Sequence, residues 1–321
     1  MRTLKKRIFA TILVLISLSL LFLGCKNEQT LTGVFVQFID VGQGDCIFIN
    51  LPDEKKIMID AGNGTELSDV AIENSLKNSK VKTIDYLILT HPDQDHVGGA
   101  KKIVDGYQIG TAFIPYITQS VMPNFQTYYK VYNALESKGV KTQISEMGTY
   151  LSGDGYYLAF LSPLPFNQSQ SSYKDLNRVD ATDSQINDSS PIIYLEIYGK
   201  RFVFTGDAGS KQEQFVLQNK QVGIYQMAFN KQINLGDIDF LKVAHHGSDG
   251  CSSGEFLDAL RPNNAIISVG GNNYYGHPDT ELLTRLLNCN QTIKIYRTDT
   301  CGSITAKIES DGSLQIITDA D

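Results

Sequence analysis

Within six residues, His91-Pro92-Asp93-Gln94-Asp95-His96, the chain sets four side chains that can ligate a metal ion or move a proton. Imidazole and carboxylate together suit zinc, iron or manganese. Pro92 biases His91 away from helical geometry, so the segment is expected to be a loop on which all four groups converge. Capping of a following helix would use one carboxylate near the positive end of its dipole and leaves the histidines unexplained. The other three histidines of the chain's five, His245, His246 and His277, also stand at strand-to-loop junctions. None lies inside an apolar run, where a core histidine belongs.

The pattern around these residues supplies the elements that must position them. Strands are expected over 34–39, 46–50, 56–59 and 84–89, with turns at Asp40–Asp45 and Pro52-Asp53 and a helix over 69–78. The strand ending at Leu89 runs straight into the His91 segment, and a helix over 100–104 follows. A helix is expected over 128–137 and a polar surface loop over 167–190, rich in Ser, Asn, Gln and Asp. Beyond it come a strand pair over 192–197 and 201–204 that ends in Thr-Gly-Asp207, and a strand over 240–244 that leads into His245-His246. A strand over 265–269 leads into a Gly-rich loop ending at His277, followed by a helix over 279–287 and strands over 293–296 and 304–308. Strand and helix alternate in two halves with no short repeat, which points to one layered α/β (α+β) domain over 33–315.

The first 24 residues stand apart. Arg2, Lys5, Lys6 and Arg7 precede a 16-residue apolar run, Ile8 to Leu23, which ends at Gly24-Cys25. A basic start, a short apolar run and a small residue before the break read as a secretory signal, and the run is short for a spanning helix. The Gly24-Cys25 junction resembles a bacterial lipobox. The expectation is a signal peptide over 1–24, a lipidated Cys25, a linker over 25–32 and an extracytoplasmic domain held at the membrane. Removal of the signal leaves 24 basic residues against 35 acidic ones, which works against unspecific binding to nucleic acid. Of five cysteines, Cys46, Cys251, Cys289 and Cys301 would remain as free or paired thiols, with three possible pairings.

Six segments in order resemble the metallo-β-lactamase superfamily, and most of all the external hydrolase domain of ComEC-type DNA-uptake proteins. They are Phe38-Ile-Asp-Val-Gly-Gln-Gly-Asp45, Ile57-Met-Ile-Asp-Ala-Gly62, Thr90 to Gly99, Phe204-Thr-Gly-Asp207, Leu241-Lys-Val-Ala-His-His-Gly-Ser248 and Tyr275-Gly-His-Pro278. The resemblance implies a four-layer αβ/βα sandwich with its site at the edge between the two sheets. It places His91 on one metal, Asp95 and His96 on a second, and Asp207 between them. One of His245 and His246 completes the second site; His245, directly after the strand, is favoured, which leaves His246 to meet substrate or donate a proton. Asp93 stands where the superfamily usually has a histidine. The isolated third histidine is absent, with Asn187-Asp188-Ser189-Ser190 roughly in its place. The first site is therefore oxygen-rich, which favours manganese or magnesium over zinc.

The implied activity is metal-dependent hydrolysis with one or two divalent ions, zinc or manganese, in which water is acidified towards neutrality. Asp95 and His246 are the expected catalytic groups, Asp60 and Asp188 the expected supports of the ligands. Gln43, Asp45, Asn273 and His277 are expected to line the substrate cleft. A phosphodiester, conceivably in nucleic acid, is the leading substrate; a small ester, a lactone or a phosphocholine compete with it. A non-catalytic binding lipoprotein that keeps the fold is the alternative from another class. The sequence names no protein partner.

Overall fold

The computed structural model describes residues 31–118, 121–165, 182–221 and 223–320. The expected signal peptide and Cys25 lie outside the described residues, as does 167–181 of the expected polar loop. Among the described residues, no helix is long and apolar enough to cross a membrane.

The chain first lays down six strands, β1 (Phe35–Phe38), β2 (Ile47–Asn50), β3 (Lys56–Ile59), β4 (Thr83–Ile88), β5 (Gln108–Ile114) and β6 (Lys141–Ile144). Seven more build a second sheet: β7 (Tyr150–Gly153), β8 (Tyr156–Phe160), β9 (Ile193–Ile197), β10 (Lys200–Phe204), β11 (Phe240–Lys242), β12 (Asn264–Ile267) and β13 (Lys294–Arg297). The chain then returns to the first sheet with β14 (Ile304–Ile308) and β15 (Leu314–Thr318), giving the order β15-β14-β1-β2-β3-β4-β5-β6. In each sheet antiparallel strands come first, and from β3 and from β10 onwards the pairing is parallel.

Parallel strands need crossovers that cover the sheet faces. Helices α1 (Glu66–Asn78), α3 (Ala100–Gly106) and α4 (Gln126–Ser137) cover the outer face of the first sheet, where Ile72, Leu76, Ile103, Val131 and Leu135 pack. Between α1 and α3 stands a single turn, α2 (Gln94–Val97). A short helix, α5 (Asp183–Asn187), precedes β9. The second sheet is covered by α6 (Ser210–Gln221), α7 (Ile224–Phe229), α8 (Gly254–Leu260) and α9 (Thr280–Cys289), and α10 (Thr298–Cys301) leads into β14. A third apolar layer fills the space between the sheets, with Phe38, Phe113, Phe160, Phe204 and the stacked pair Phe202–Phe240 (centroids 4.7 Å apart) at its centre. Three apolar layers separate four structural ones, an αβ/βα sandwich.

Four differences from the sequence reading have clear causes. First, the His91 segment is not wholly a loop. Pro92 governs only the residue before it, and the carbonyl of Asp93 accepts the His96 and Val97 N–H groups, so Asp95 and His96 ride on α2. Second, residues 183–187 are helical rather than part of a loop. A reciprocal capping box between Thr182 and Gln185 starts that turn. Third, α1 begins at Glu66, because the Thr65 side chain accepts the Ser68 N–H and caps it. Finally, β15 runs to Thr318, past the boundary expected at 315, because a turn at Gly312 folds it back on β14. Cys46, Cys251, Cys289 and Cys301 are free thiols.

The central layer sets the spacing of the sheets and therefore of everything at their edge. Phe240→Ala, which empties a fully buried site, is expected to cost about 3–5 kcal/mol of stability. The urea midpoint should fall with an unchanged slope.

Candidate metal centre

Five strands of the two sheets end at one place. Asp60 follows β3, Thr90 to His96 follows β4, Asp207 follows β10, His245 and His246 follow β11, and the loop from Ser268 to Pro278 follows β12. These are C-terminal ends of parallel strands, the usual position of a ligand crevice in α/β sheets.

The backbone is bent sharply to bring the side chains in. Asp60, His245 and His246 adopt left-handed conformations with φ of 58°, 49° and 54°, each costing on the order of 1–3 kcal/mol in a non-glycine residue. On the other side the Gly42–Asp45 turn hugs α2, and the Asp45 N–H donates to the Asp95 carbonyl. A Cβ at Gly44 would lie 2.3 Å from that same oxygen, so this approach requires glycine.

Hydrogen bonds then decide which nitrogen of each imidazole faces the centre. Asp60 accepts the Thr90 N–H (2.8 Å), the Thr90 hydroxyl (2.7 Å) and the His96 Nδ1–H (2.8 Å). Thr90 Oγ1, its proton given to Asp60, is left to accept from His91 Nδ1 at 3.1 Å. Ser190 Oγ lies 3.2 Å from the same nitrogen and accepts the Asp207 N–H. The Ser268 carbonyl accepts His246 Nδ1–H at 2.9 Å. With Nδ1 occupied in all three rings, the Nε2 lone pairs point inward.

What they meet is more acceptors. His96 Nε2 lies 3.3 Å from His246 Nε2 and 3.2 Å from Asp207 Oδ1, and His246 Nε2 lies 3.2 Å from Asp95 Oδ2. His91 Nε2 stands 3.6 Å from Asp93 Oδ2 and 3.7 Å from Asp207 Oδ2, and it is buried without a hydrogen-bond donor, as is Asp207 Oδ1. Among the described residues two sets that share His96, His91-His96-Asp207 and Asp95-His96-His246, place their ligand atoms close enough to hold an ion, and a third, Asp45-Asp60-His96, lies behind that ring. Lone pairs converging in a buried pocket are stabilised by positive charge, and this ligand chemistry fits a divalent cation.

Where no cation stands, the same attraction for positive charge falls on protons. Burial disfavours charge on His96, yet Asp207 and Asp60 overcome it and hold that imidazole well above its ordinary pKa. Burial would likewise raise Asp207 and Asp95, but the neighbouring histidines hold both below the usual carboxylate range. Asp93 is pushed up to about 6, first by burial and then by Asp95 and Asp207. Burial and then the neighbouring His96 drive His91 down to about 3 against the pull of Asp207 and Asp95, so it stays neutral.

The structure corrects two expectations, on His245 and on Asp45, and places the other expected residues. His246, not His245, is the buried ring beside Asp95 and His96. His245 is 36% exposed, with Nε2 3.6 Å from Asp207 Oδ2. The left-handed step at both residues turns the second ring inward, which strand alternation alone does not foretell. Asp45 does not line the cleft: it is 2% exposed, lies beneath the cluster and pairs with the buried Lys242 ammonium at 2.7 Å. Asn273 spends its amide on its own loop, donating to the Gly270 and His277 carbonyls and accepting the His277 N–H. Gln43 accepts the Gly270 N–H and so docks that loop. Asp188 ends α5 outside both ligand sets; Ser190, two residues on, is the one that reaches His91. His277 sits at the rim, its ring 5.9 Å from that of His245.

Thr90, Ser190, Lys242 and Ser268 are not singled out by the sequence. Only Lys242 carries a signal there, a charge inside the apolar strand Phe240 to Val243.

A family model described as the metallo-beta-lactamase superfamily matches residues 39–271. The chain belongs to the metallo-β-lactamase superfamily. That membership fits the His and Asp ligand sets described above, and the competence-protein resemblance seen in its motifs is shared by its relatives. It is 31% identical over 288 residues to ComE operon protein 3 of Bacillus subtilis, covering 84% of this chain and 32% of that protein. Competence protein ComA of Neisseria gonorrhoeae is 26% identical over 265 residues, covering 83% of this chain and 31% of that protein. The chain thus spans about a third of the length of these relatives. Among solved structures, the diiron β-hydroxylase CmlA from Streptomyces venezuelae superposes with a TM-score of 0.52 at 15% identity, over 87% of this chain and 55% of that one. That likeness is one of fold.

Asp60 fixes His96 by accepting its Nδ1–H, so its loss should be felt as affinity. Asp60→Asn is expected to weaken divalent-metal binding about 10- to 100-fold, read by competition with a fluorescent chelator.

Proposed function

We propose that this superfamily member is a phosphodiesterase acting on nucleic acid outside the cytoplasmic membrane, to which a lipid on Cys25 anchors it. The observation that carries the catalytic part is the convergence of His96 Nε2, His246 Nε2, Asp95 Oδ2 and Asp207 Oδ1 at 3.2–3.3 Å in one buried cluster. The choice of substrate rests on relatives whose names refer, in Neisseria gonorrhoeae, to competence and, in Haemophilus influenzae, to recombination (28% identity over 78% of this chain). The anchor rests on Leu21 to Cys25 after a basic, apolar leader.

In this reading Asp95, His96 and His246 would hold one cation, and His91, Asp93 and Asp207 would be available to a second. Such ions, zinc or manganese, acidify water and neutralise charge on phosphoryl oxygens. The protein's own part is orientation and proton traffic. Asp60, Thr90, Ser190 and the Ser268 carbonyl keep each imidazole turned, so no reorganisation is needed when charge develops. His245, with Nε2 at the solvent side of Asp207, is placed to hand a proton to the leaving oxygen. Neutral His91 and the carboxylates keep the pocket rich in lone pairs, which excludes a phosphate dianion unless a cation is bound.

Release of nitrophenol from bis(4-nitrophenyl) phosphate with added Mn²⁺ or Zn²⁺ tests the activity. Asp207→Ala and His96→Ala are each expected to lower kcat/KM more than about 100-fold, beyond the loss typical for outlying supports of a ligand. Full activity in Asp207→Ala sinks the mechanism, and neither metal nor turnover in the wild type favours a non-catalytic binding protein. Separately, Cys25→Ser should abolish incorporation of labelled palmitate and release the protein from the membrane fraction.

A further inference from the structure

The loop that closes the rim of the cluster carries two large aromatic side chains that the catalytic assignment does not use. Tyr274 is 99% exposed and Tyr275 67% exposed. Isolated exposed aromatics are ordinary, but these two are adjacent, mutually perpendicular (centroids 6.3 Å apart, 85°) and held by a rigid frame. Asn273 ties Gly270 to His277, and the Gln43 side chain accepts the Gly270 N–H. The frame also sets their direction. The Tyr275 ring lies parallel to His277 at 5.8 Å and 12°, and His277 meets His245 edge-on at 5.9 Å. From His245 Nε2 it is 3.6 Å to Asp207 Oδ2. A train of rings therefore leads from solvent to the ligand cluster, its outermost member open on one face.

Charge decides what such a platform suits. The chain has 28 basic residues against 35 acidic ones, so counterion release by Lys and Arg gives it little grip on a polyanion. Stacking of bases on aromatic side chains needs no charge and is indifferent to sequence, but it requires bases that are not already stacked in a duplex. Accepting the phosphodiesterase reading, on which this rests, we infer that Tyr274 and Tyr275 form a stacking subsite for an unpaired nucleobase next to the scissile phosphodiester. The substrate is then single-stranded nucleic acid, and the duplex is excluded for want of an available base.

The test is a cycle between tyrosine and base, run on the full-length protein with Mn²⁺. Steady-state cleavage of a single-stranded oligonucleotide is compared with that of the same strand carrying an abasic residue beside the cleaved bond. The Tyr274→Ala/Tyr275→Ala double variant is expected to raise KM for the intact strand by about 5- to 150-fold, the range of one stacked base. The abasic strand should show a similar loss with the wild type and little further loss with the variant. Tyr275→Phe, which keeps the ring, should restore much of the affinity. Equal KM values for wild type and double variant, an abasic effect of the same size in both, or cleavage of duplex as efficient as of single strand each overturns the subsite. Cleavage of bis(4-nitrophenyl) phosphate without cleavage of any oligonucleotide overturns it too while leaving a diesterase. Failure on every diester defeats the underlying reading instead.

Discussion

The structure is organised around a repulsion that it must overcome. Imidazole nitrogens and carboxylate oxygens from three strand ends are pressed to within 3.2–3.7 Å of one another in a buried pocket, where a low dielectric magnifies every charge. Among these side chains only protons held on His96 and His246 by the carboxylates offset the repulsion. The ordering of Asp60, Thr90 and Ser190 behind the rings exists to keep them in that unfavourable posture, and the left-handed turns at Asp60, His245 and His246 are the backbone's share of the cost. Strain of this kind persists only where the surroundings over-determine it, and here both sheets do so through their common apolar layer.

Lys242 shows the same logic from beneath. Its ammonium is fully buried, 2.7 Å from the Asp45 carboxylate and 3.0 Å from the Val243 carbonyl. Asp45 belongs to the turn after β1 and Lys242 to β11, so the pair joins the two sheets directly under the ligands. A buried ion pair contributes little net stability but is costly to break from one side. It fixes the distance between two halves whose ligands must meet, and it offsets one of the pocket's negative charges without occupying a ligand position.

The architecture was legible in the sequence to the extent that it follows from alternation of apolar strands with helices and from six short motifs in order. The His91 to His96 segment, Asp207 and the paired histidines could be read because imidazole and carboxylate at strand ends have few other uses. What could not be read depended on backbone conformation or on distant contacts. The exchange of His245 and His246 follows from two consecutive left-handed residues, which no periodicity encodes. Asp45 looked like a cleft residue because its partner lies 197 positions away in an apolar strand. Thr90 and Ser190 act through a single hydroxyl each, and a hydroxyl beside an imidazole leaves no trace in residue spacing. The helical turn at 183–187 was obscured by polar composition, although its capping residues were present.

The return of β14 and β15 to the first sheet also bears on how such a unit can be carried. Because β1 is paired between β2 and β14, and β15 lies just beyond β14, the described chain enters and leaves on strands two apart in the same sheet. Polypeptide can thus be joined on either side without parting any strand of the sandwich. That is the geometry that lets a domain be inserted into a larger protein or stand apart from one with its interior unchanged.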